Sequence, residues 1–560
     1  MKLKYTFILA SALFLSSCND AFLERNPQSF NDGTFWSSVN DLKTYANAFY
    51  GILPSGVTNL GDEDSDNQIP FNPNSFLWGQ YTVPAEGGNW SKSNWSNIRN
   101  LNYFMTHYSK VPASENEVNP YVAEIRFFRA LEYYGKIQTF GDVPWLDSEL
   151  NVDSEELFGK KDPRNEVAKK IIEDLEFAIQ WLPEKDSEEA NRLNKDIARH
   201  VLGRVCLNEG TYYKYHTELG YSADVQGLLE KAAKVTDEII SSGKYNIYST
   251  GNFNEDYYNM FIMEDKSNLD EAILYIDYAQ NLRYHNATRW LRNAKSGWSK
   301  DFADCILYTD GKPASVTSKD AVQNRTMAEE AKDRDPRFRQ LILTSEDPYT
   351  ITNDGTENYV TEETFVSKDC PTGYWVRKYF NPDPSQDIEG RSTFDGIAYR
   401  YAETLLINAE AKAELGTITQ SDLDKTVNEL RDRVGMPHLS LNVGFVDSKW
   451  PNWGYELTPL LQEIRRERRV ELAGEGFRFG DLKRWAAGKL LNNVQTYVGK
   501  FTQNENGEWK QAIIYGNYTN EDLSYQEGKS RTWNDKMYLY PIPTGELQRN
   551  PNLLPQNPGW

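Results

Sequence analysis

The side chains with the clearest binding chemistry are tryptophans and tyrosines in two stretches rich in polar and turn-forming residues. An aromatic ring stacks on the C–H face of a sugar, while a neighbouring amide or guanidinium group hydrogen-bonds the sugar hydroxyls. The rings that we select as a carbohydrate platform are Trp78, Tyr81, Trp90, Tyr284, Trp290 and Trp298. The flanking groups that would bond hydroxyls or pair with an acidic sugar are Asn89, Asn281, Arg283, Arg289, Arg292 and Asn293.

Other aromatic residues fit a core better than a binding surface. Trp95 continues the helical spacing of Ile98, and Trp485 closes a charged helical segment, so we assign both to the scaffold. For each platform ring the alternative is ordinary packing. If the platform is exposed, replacing Trp90 or Trp298 by alanine should lower ligand affinity with little loss of stability.

Motifs for catalysis are missing from the sequence. The five histidines, at positions 107, 200, 216, 285 and 438, form no HExxH pair, and there is no GxSxG elbow or P-loop. Gly474 and Gly476 follow a predicted helix rather than a strand, which argues against a dinucleotide site. Folding sets the partners of a glycosidase carboxylate pair, so 82 acidic residues leave that alternative open. We predict no catalytic residues and no cofactor.

A short acidic loop could suggest a metal. Gly61–Asn67 carries carboxylates at alternate positions, as a calcium loop does. An EF-hand requires glycine at its sixth position and glutamate at its twelfth, and here these are Asn67 and Pro73. We therefore predict a polar loop near the binding face and no metal site.

The overall charge excludes one class of partner. The 560 residues have a formal net charge of −21, which repels nucleic acid phosphates. Apolar residues make up only 39% of the chain, while 15 Trp, 34 Tyr and 25 Phe supply rings that can cover polar surfaces. An aromatic, acidic protein suits carbohydrate better than nucleic acid.

The N-terminus reads as a targeting segment. Two lysines precede the apolar run Phe7–Leu15, which is too short to span a bilayer, and Leu15–Cys18 resembles a bacterial lipobox. We predict a signal peptide over residues 1–17, lipidation at Cys18 and a tether over residues 18–40; an ordinary secretory signal is the alternative. A durable lipid anchor would then hold the protein to a membrane.

The remaining cysteines form no CxxC motif. Cys206 lies in an apolar helical stretch and is expected in the core. Cys305 and Cys370 could form a disulfide in an oxidising compartment.

Helical periodicity dominates the chain, with a less regular, polar region over residues 250–395. We predict one body over residues 41–560, with helical repeats to about residue 250 and a C-terminal region from about residue 251. The fold class is mostly α, with paired helices similar to tetratricopeptide pairs and a loop-rich face. The predicted helices cover residues 41–50, 95–105, 120–139, 165–182, 197–209, 228–241, 399–415 and 423–434.

Leu460–Trp485 contains a helix with a dense face of alternating charges over Arg465–Glu471. Opposite charges three and four positions apart stabilise a helix, so we interpret this as a solvated face with a structural role. A nucleic-acid patch is the weaker alternative, because two glutamates interrupt it. Gly474 and Gly476 should end the helix, and Asp481 can cap a second one.

Several of these segments resemble the SusD/RagB family of surface glycan-binding lipoproteins from nutrient-uptake systems of Gram-negative bacteria. The similar segments occur in the family's order and extend over essentially the whole mature chain. Besides the lipobox they are FRA through FGDVP (residues 128–144), RDPRF (334–338), YRYAETLLINAEAKAEL (399–415), RRERRVELAGEGFRFGDLKRW (465–485) and LYPIPTGELQRNPNLLPQNPGW (539–560).

The resemblance implies a function for the whole chain. It implies capture of an oligosaccharide or polysaccharide outside the cell and delivery to a SusC-type TonB-dependent transporter of the outer membrane. Some relatives handle peptides, so a peptide-capturing lipoprotein is one alternative, and a helical-barrel glycosidase or lyase is another. The family's loops vary with ligand, so the resemblance does not identify the binding residues.

Overall fold

The computed structural model describes residues 35–58, 61–70, 74–185, 189, 191–293, 296–317, 319, 325–362, 364–367, 369–503, 506–513 and 531–560. Cys18, the predicted signal peptide and most of the predicted tether lie outside these residues. The fold is mostly helical, as predicted.

The longer helices begin and end close to the predicted positions, and the stretch predicted over 423–434 is two short helices. The α-helices are α1 Val39–Asn47, α2 Lys92–His107, α3 Glu115–Phe140, α4 Arg164–Trp181, α5 Lys195–Tyr215, α6 Val225–Ser241, α7 Asp256–Ile262, α8 Ala287–Asn293, α9 Lys300–Cys305, α10 Met327–Ala331, α11 Arg337–Leu341, α12 Tyr401–Leu415, α13 Gln420–Asp424, α14 Val427–Arg433, α15 Pro459–Glu471, α16 Arg478–Arg484 and α17 Thr544–Arg549.

The strands form short antiparallel pairs. The strands are β1 Gln68–Pro70, β2 Ala272–Ile276, β3 Ser296–Trp298, β4 Pro348–Ile351, β5 Glu357–Tyr359, β6 Gly396–Arg400, β7 Val498–Gln503 and β8 Trp509–Ile513. The pairs β1–β3 and β2–β6 connect distant parts of the chain, whereas β4–β5 and β7–β8 are local.

The helices pack in neighbouring pairs around a large apolar core. Helix α3 packs against α4, α5 against α6, and α12 against both α5 and α6. Small residues allow close approach: a Cβ added at Gly203 of α5 would lie 2.9 Å from the Thr236 side chain of α6. Cys206 is buried in this core, as predicted. The core continues into a second cluster that includes α7, α9, α11 and the strand β3.

The charged face of α15 is not solvated, so that interpretation is wrong. Arg465, Glu467, Arg468 and Glu471 are all buried. A buried charge is stable only when a counter-charge and hydrogen bonds compensate for lost hydration. The compensating groups come from other segments. The charged residues of α15 therefore have the predicted structural role, but as buried ion pairs rather than as a solvated face.

Glu471 is the centre of this buried ion-pair network. It accepts hydrogen bonds from Arg400 at 2.6 Å, from Arg433 at 2.6 Å and from Arg337 at 3.1 Å. Burial opposes its ionisation, but the three guanidinium groups outweigh burial and hold the pKa of Glu471 well below its usual range. The network joins β6, α11, α14 and α15 into one unit.

The end of α15 follows the prediction, but the start of α16 does not. Gly474 and Gly476 have φ values of +77° and +82°, which only glycine adopts without strain. Helix α16 begins at Arg478, so Asp481 lies inside it and caps nothing. Asp481 instead accepts hydrogen bonds at 2.9 Å from Arg468 and from Arg484.

The acidic loop Gly61–Asn67 has a structural role, with most of its polar side chains buried. Buried Asp62 accepts hydrogen bonds from the backbone amides of Gly474 at 2.8 Å and Gly476 at 3.2 Å. Buried Asp66 accepts two from Arg478, at 2.7 and 2.8 Å. The loop therefore satisfies the donors of the turn between α15 and α16.

The cysteines Cys305 and Cys370 are both free thiols, so the disulfide considered from sequence is not formed. Cys370 is buried and its sulfur lies 3.6 Å from the Thr372 hydroxyl. Burial raises the pKa of Cys370 to about 12, which makes it an inert core residue rather than a reactive thiol.

Candidate functional site

A surface built from residues 281–293 and 386–391, here called the α8 platform, presents the most exposed of the predicted rings. Tyr284 is 55% exposed and Trp290 is 59% exposed, although large aromatic side chains usually bury most of their area. Leu282, at 87% exposed, lies beside them in the chain. Exposed apolar groups next to polar ones are typical of binding surfaces.

His285 fixes the backbone between these rings. Its amide donates to the Ser392 carbonyl at 3.0 Å, and its Nε2 lies 2.9 Å from the Phe394 carbonyl. Nε2 must carry the proton to donate there, and Nδ1 then accepts the Ala287 amide at 3.2 Å. Burial lowers the pKa of His285 to about 4, so the ring is neutral and rigidly placed at neutral pH.

The neighbouring loop touches Tyr284 through a glycine. Gly390 has a φ of +71°, and its amide donates to the Asn286 side chain at 2.7 Å. A Cβ added at Gly390 would lie 3.2 Å from the Tyr284 ring, which is tighter than ordinary van der Waals contact. The glycine therefore lets residues 386–391 support the ring from one side.

Three arginines lie close to the two rings in the chain, and they differ in how fully a carboxylate neutralises them. Arg292 forms an ion pair with Asp387, and its guanidinium lies 5.4 Å from the Tyr349 ring centroid. Arg289 lies 3.8 Å from Glu389, with both side chains exposed. The Arg283 guanidinium lies 5.0 Å from the Tyr278 ring centroid.

The predicted asparagines of this region also lie on the platform. Asn281 is exposed with a φ of +66°, a left-handed conformation that asparagine tolerates. Asn293 is exposed, and its Nδ2 donates to the Arg289 carbonyl at 2.8 Å, which closes the last turn of α8. The platform therefore brings together Asn281, Arg283, Tyr284, Arg289, Trp290, Arg292 and Asn293.

The predicted rings of the first region are not gathered with Tyr284 and Trp290. Trp78 is half-buried, with its ring centroid 6.1 Å from that of Tyr497. Tyr81 is half-buried in a cluster with Phe76, Tyr540 and Trp560. Asn89 is exposed.

A strand pair nevertheless connects the two regions. Trp78 packs with Ile69 of β1, and β1 pairs with β3, which follows α8 in the chain. Gln68 lies opposite Trp298 in this pair, and Pro70 lies opposite Ser296. Helix α8 ends shortly before strand β3. Because β3 pairs with β1, the first region lies beside the segment that follows α8.

Trp90 and Trp298 are buried, so the prediction that both are platform rings is wrong. Trp90 packs edge-on against Trp95 and Phe140, with centroid distances of 5.2 and 4.8 Å. Trp298 is 0% exposed, and its Nε1 donates to the Leu341 carbonyl at 2.8 Å. Neither ring offers a face to a ligand.

Some members of the platform were not predicted from the sequence. Residues 386–391 contribute the exposed Ile388, the ion-pair partners of two arginines and the supporting glycine. The only local signal was a polar, turn-rich stretch. Its contact with α8 depends on His285 and Ser392, which are distant in sequence.

The described part of the chain lacks two other kinds of feature. It contains no group of three or more His, Cys, Asp or Glu side chains placed to hold a metal ion. The helices it includes are all too short or too polar to cross a membrane.

Comparison with known proteins adds independent information. The model of the SusD family matches residues 212–560, more than half of the chain. SusD-like protein P2 from Formosa agariphila is 26% identical, with both chains covered completely.

Solved structures match over nearly the whole chain. A SusD-like protein from Bacteroides fragilis is 24% identical with a TM-score of 0.74, covering 95% of this chain and 99% of its own. A second protein from that organism, described as a SusD-like carbohydrate binding protein, is 23% identical with a TM-score of 0.69, covering 93% and 100%. At these identities the likeness shows the fold.

Proposed function

This chain belongs to the SusD family, and from that premise we propose that it binds an oligosaccharide or polysaccharide on the α8 platform. It then delivers the ligand to a SusC-type TonB-dependent transporter in the outer membrane. The description of one structural relative as a carbohydrate binding protein supports this proposal. The protein itself acts by binding and not by catalysis.

The observation that carries the proposal is the exposure of Tyr284 and Trp290 on a well-fixed backbone. His285 and Asn286 hold the intervening backbone through hydrogen bonds to Ser392, Phe394 and Gly390. A backbone that is already fixed loses little conformational entropy when a ligand binds. Two such rings can stack on sugar faces while neighbouring side chains bond hydroxyls.

The proposed function also requires a membrane anchor and a transporter partner. Lipidation at Cys18 anchors the protein to the outer membrane, with the folded body facing the cell exterior. Labelling cells with a radioactive or clickable fatty acid tests this, because a Cys18→Ser variant should lose the label. Copurification of a TonB-dependent transporter with the wild-type protein from detergent-solubilised membranes tests the partner.

Affinity electrophoresis tests the binding function directly. The soluble chain from residue 19 is run through gels that contain plant, microbial or host polysaccharides. We expect retardation by one polymer class without its degradation. Retardation that is unchanged in the double variant Tyr284→Ala/Trp290→Ala would place the site elsewhere, and new reducing ends would indicate an enzyme.

A further inference from the structure

The helical part of the α8 platform, residues 281–293, lies in a segment without a single acidic residue. Between Asp277 and Asp301 the chain runs for 23 residues with three arginines, two lysines and no aspartate or glutamate. The whole chain has 82 acidic residues and a net charge of −21. A cationic segment that carries exposed rings is therefore a departure from the charge of the rest of the protein.

The cationic charge on the platform is only partly neutralised. Within the described residues, Arg283 and Arg391 form no ion pair with a carboxylate. Arg289 has only an exposed contact of 3.8 Å with Glu389, which solvent screens strongly. Arg292 alone has a close carboxylate partner, Asp387. The platform has four arginines and two carboxylates, which leaves two positive charges in excess.

Arginines with a structural role elsewhere in the molecule are buried and form ion pairs with carboxylates. Arg433 bonds both oxygens of Glu471 at 2.6 Å, and Arg484 bonds those of Glu410 at 2.6 and 2.7 Å. These arginines are buried and pair with specific carboxylates. Arg283 and Arg391 are exposed, and no carboxylate of the described residues pairs with either, so an ion pair within the fold does not account for their charge.

The chemistry of the guanidinium group points to a class of ligand. Its planar fork of N–H donors matches the oxygens of a carboxylate or a sulfate, and such charge-assisted bonds are stronger than bonds to hydroxyls. The surrounding negative charge would repel a polyanion, and the excess positive charge would attract it to the platform. Tyr284 and Trp290 would stack on the ring that carries the anionic group.

We propose that the ligand of the α8 platform is an anionic glycan, whose carboxylate or sulfate groups are bound by Arg283, Arg289 and Arg391. This rests on the proposed function, because it assigns a substrate class to the same site. Asp387 neutralises Arg292, which is only partly exposed and lies against the Tyr349 ring, so that arginine binds the anion less directly.

Matched polymer pairs separate charge from sugar identity. The soluble chain is tested by affinity electrophoresis against polygalacturonate and its methyl ester, against dextran sulfate and dextran, and against a panel of natural neutral and anionic polysaccharides. We expect retention by anionic polymers and not by their neutral partners. Whether the carboxylated or the sulfated members bind identifies the anionic group. Affinity should fall as NaCl increases, because salt screens the attraction.

Variants test whether the α8 platform is responsible for the binding of anionic polymers. Arg283→Gln/Arg391→Gln should lower affinity for the anionic polymer about 10-fold or more, since it removes charge-assisted bonds. Lys169→Gln/Lys489→Gln removes two exposed lysine charges elsewhere and should change affinity less than about twofold. Equal losses in the two double variants would overturn the proposal, because the attraction would then be non-specific.

The remaining outcomes distinguish this inference from the proposed function. Retention by a neutral polymer, unaffected by Arg283→Gln/Arg391→Gln but lost in Tyr284→Ala/Trp290→Ala, would refute the anionic ligand and leave glycan binding intact. No retention by any polymer, charged or neutral, would count against both.

Discussion

Glu471 and Arg433 are joined by two hydrogen bonds of 2.6 Å from one guanidinium nitrogen to both carboxylate oxygens, and neither side chain reaches solvent. Arg337 and Arg400 complete the shell of the same carboxylate. Three of these residues, Arg337, Arg400 and Glu471, lie in the segments RDPRF, YRYAETLL and RRERRVEL. Three of the sequence motifs of this chain therefore supply partners to one shared ion-pair network.

We expect Glu471→Gln to destabilise the fold strongly. The amide keeps the shape of the side chain but removes the charge that compensates three buried guanidinium groups. Loss of one member of a buried ion-pair network costs about 3–5 kcal/mol. Urea unfolding at neutral pH measures the change in free energy of unfolding. Glu166→Gln, which breaks an exposed pair with Lys169, should cost less than about 1 kcal/mol.

Trp298→Ala and Trp290→Ala should differ in their effect on stability. Trp298 is fully buried and donates to the Leu341 carbonyl, so its loss should cost about 3–5 kcal/mol. Trp290 is mostly exposed, so its loss should cost less than about 1 kcal/mol. Thermal and urea unfolding of both variants tests this. Similar stability losses would contradict the placement of the two rings.

Tyr284→Ala and Trp290→Ala should each weaken glycan binding by about 1–2 kcal/mol, or roughly 5–30-fold in Kd. Each substitution removes a ring that stacks on the sugar, and because both rings are mostly exposed the fold should change little. Isothermal titration with the polymer found by electrophoresis measures the change. Phe158→Ala is the matched control, because Phe158 is also about half exposed and lies against the C-terminal tail instead.

The stability of the protein should depend on pH through His285. Its pKa is about 4 in the folded state and about 6.5 when unfolded, so its contribution is complete above pH 6.5. As the pH falls from 6.5 towards 4, the unfolded chain binds a proton that the folded chain does not, and stability decreases by up to about 3 kcal/mol.

A substitution isolates this contribution. His285→Gln keeps a donor for the Phe394 carbonyl but cannot titrate. The difference in free energy of unfolding between pH 7.5 and pH 4.5 should be smaller in the variant than in the wild type. Equal differences would show that His285 does not titrate as its burial requires.

Periodicity predicted the helices well because the apolar spacing of helices such as α4 and α6 is a local property. The burial of α15 was not predictable in this way. Its charges alternate at the spacing of a solvated helix, and their partners lie far away in sequence, at Arg337, Arg400 and Arg433. A local pattern cannot distinguish water from a distant guanidinium group as the partner of a glutamate.

The burial of the candidate rings was also not predictable from the local sequence. Trp290 and Trp298 both lie in a polar stretch, but Trp298 is in a strand opposite Gln68, and that pairing buries it. Trp290 is in a short helix with one face free. The loop around Gly390 could not be assigned to the platform either, because the His285–Ser392 bridge and the Asn286–Gly390 hydrogen bond that bring it there join residues more than 100 positions apart.

The backbone of the α8 platform is held by hydrogen bonds of His285, Asn286 and the Gly390 amide, and none of these bonds uses an outward side chain of the platform. Recognition and folding are therefore largely decoupled at this surface. A library that randomises positions 283, 284, 289 and 290 should yield mostly folded proteins. The chain could then serve as a display scaffold whose sugar preference is reprogrammed by selection.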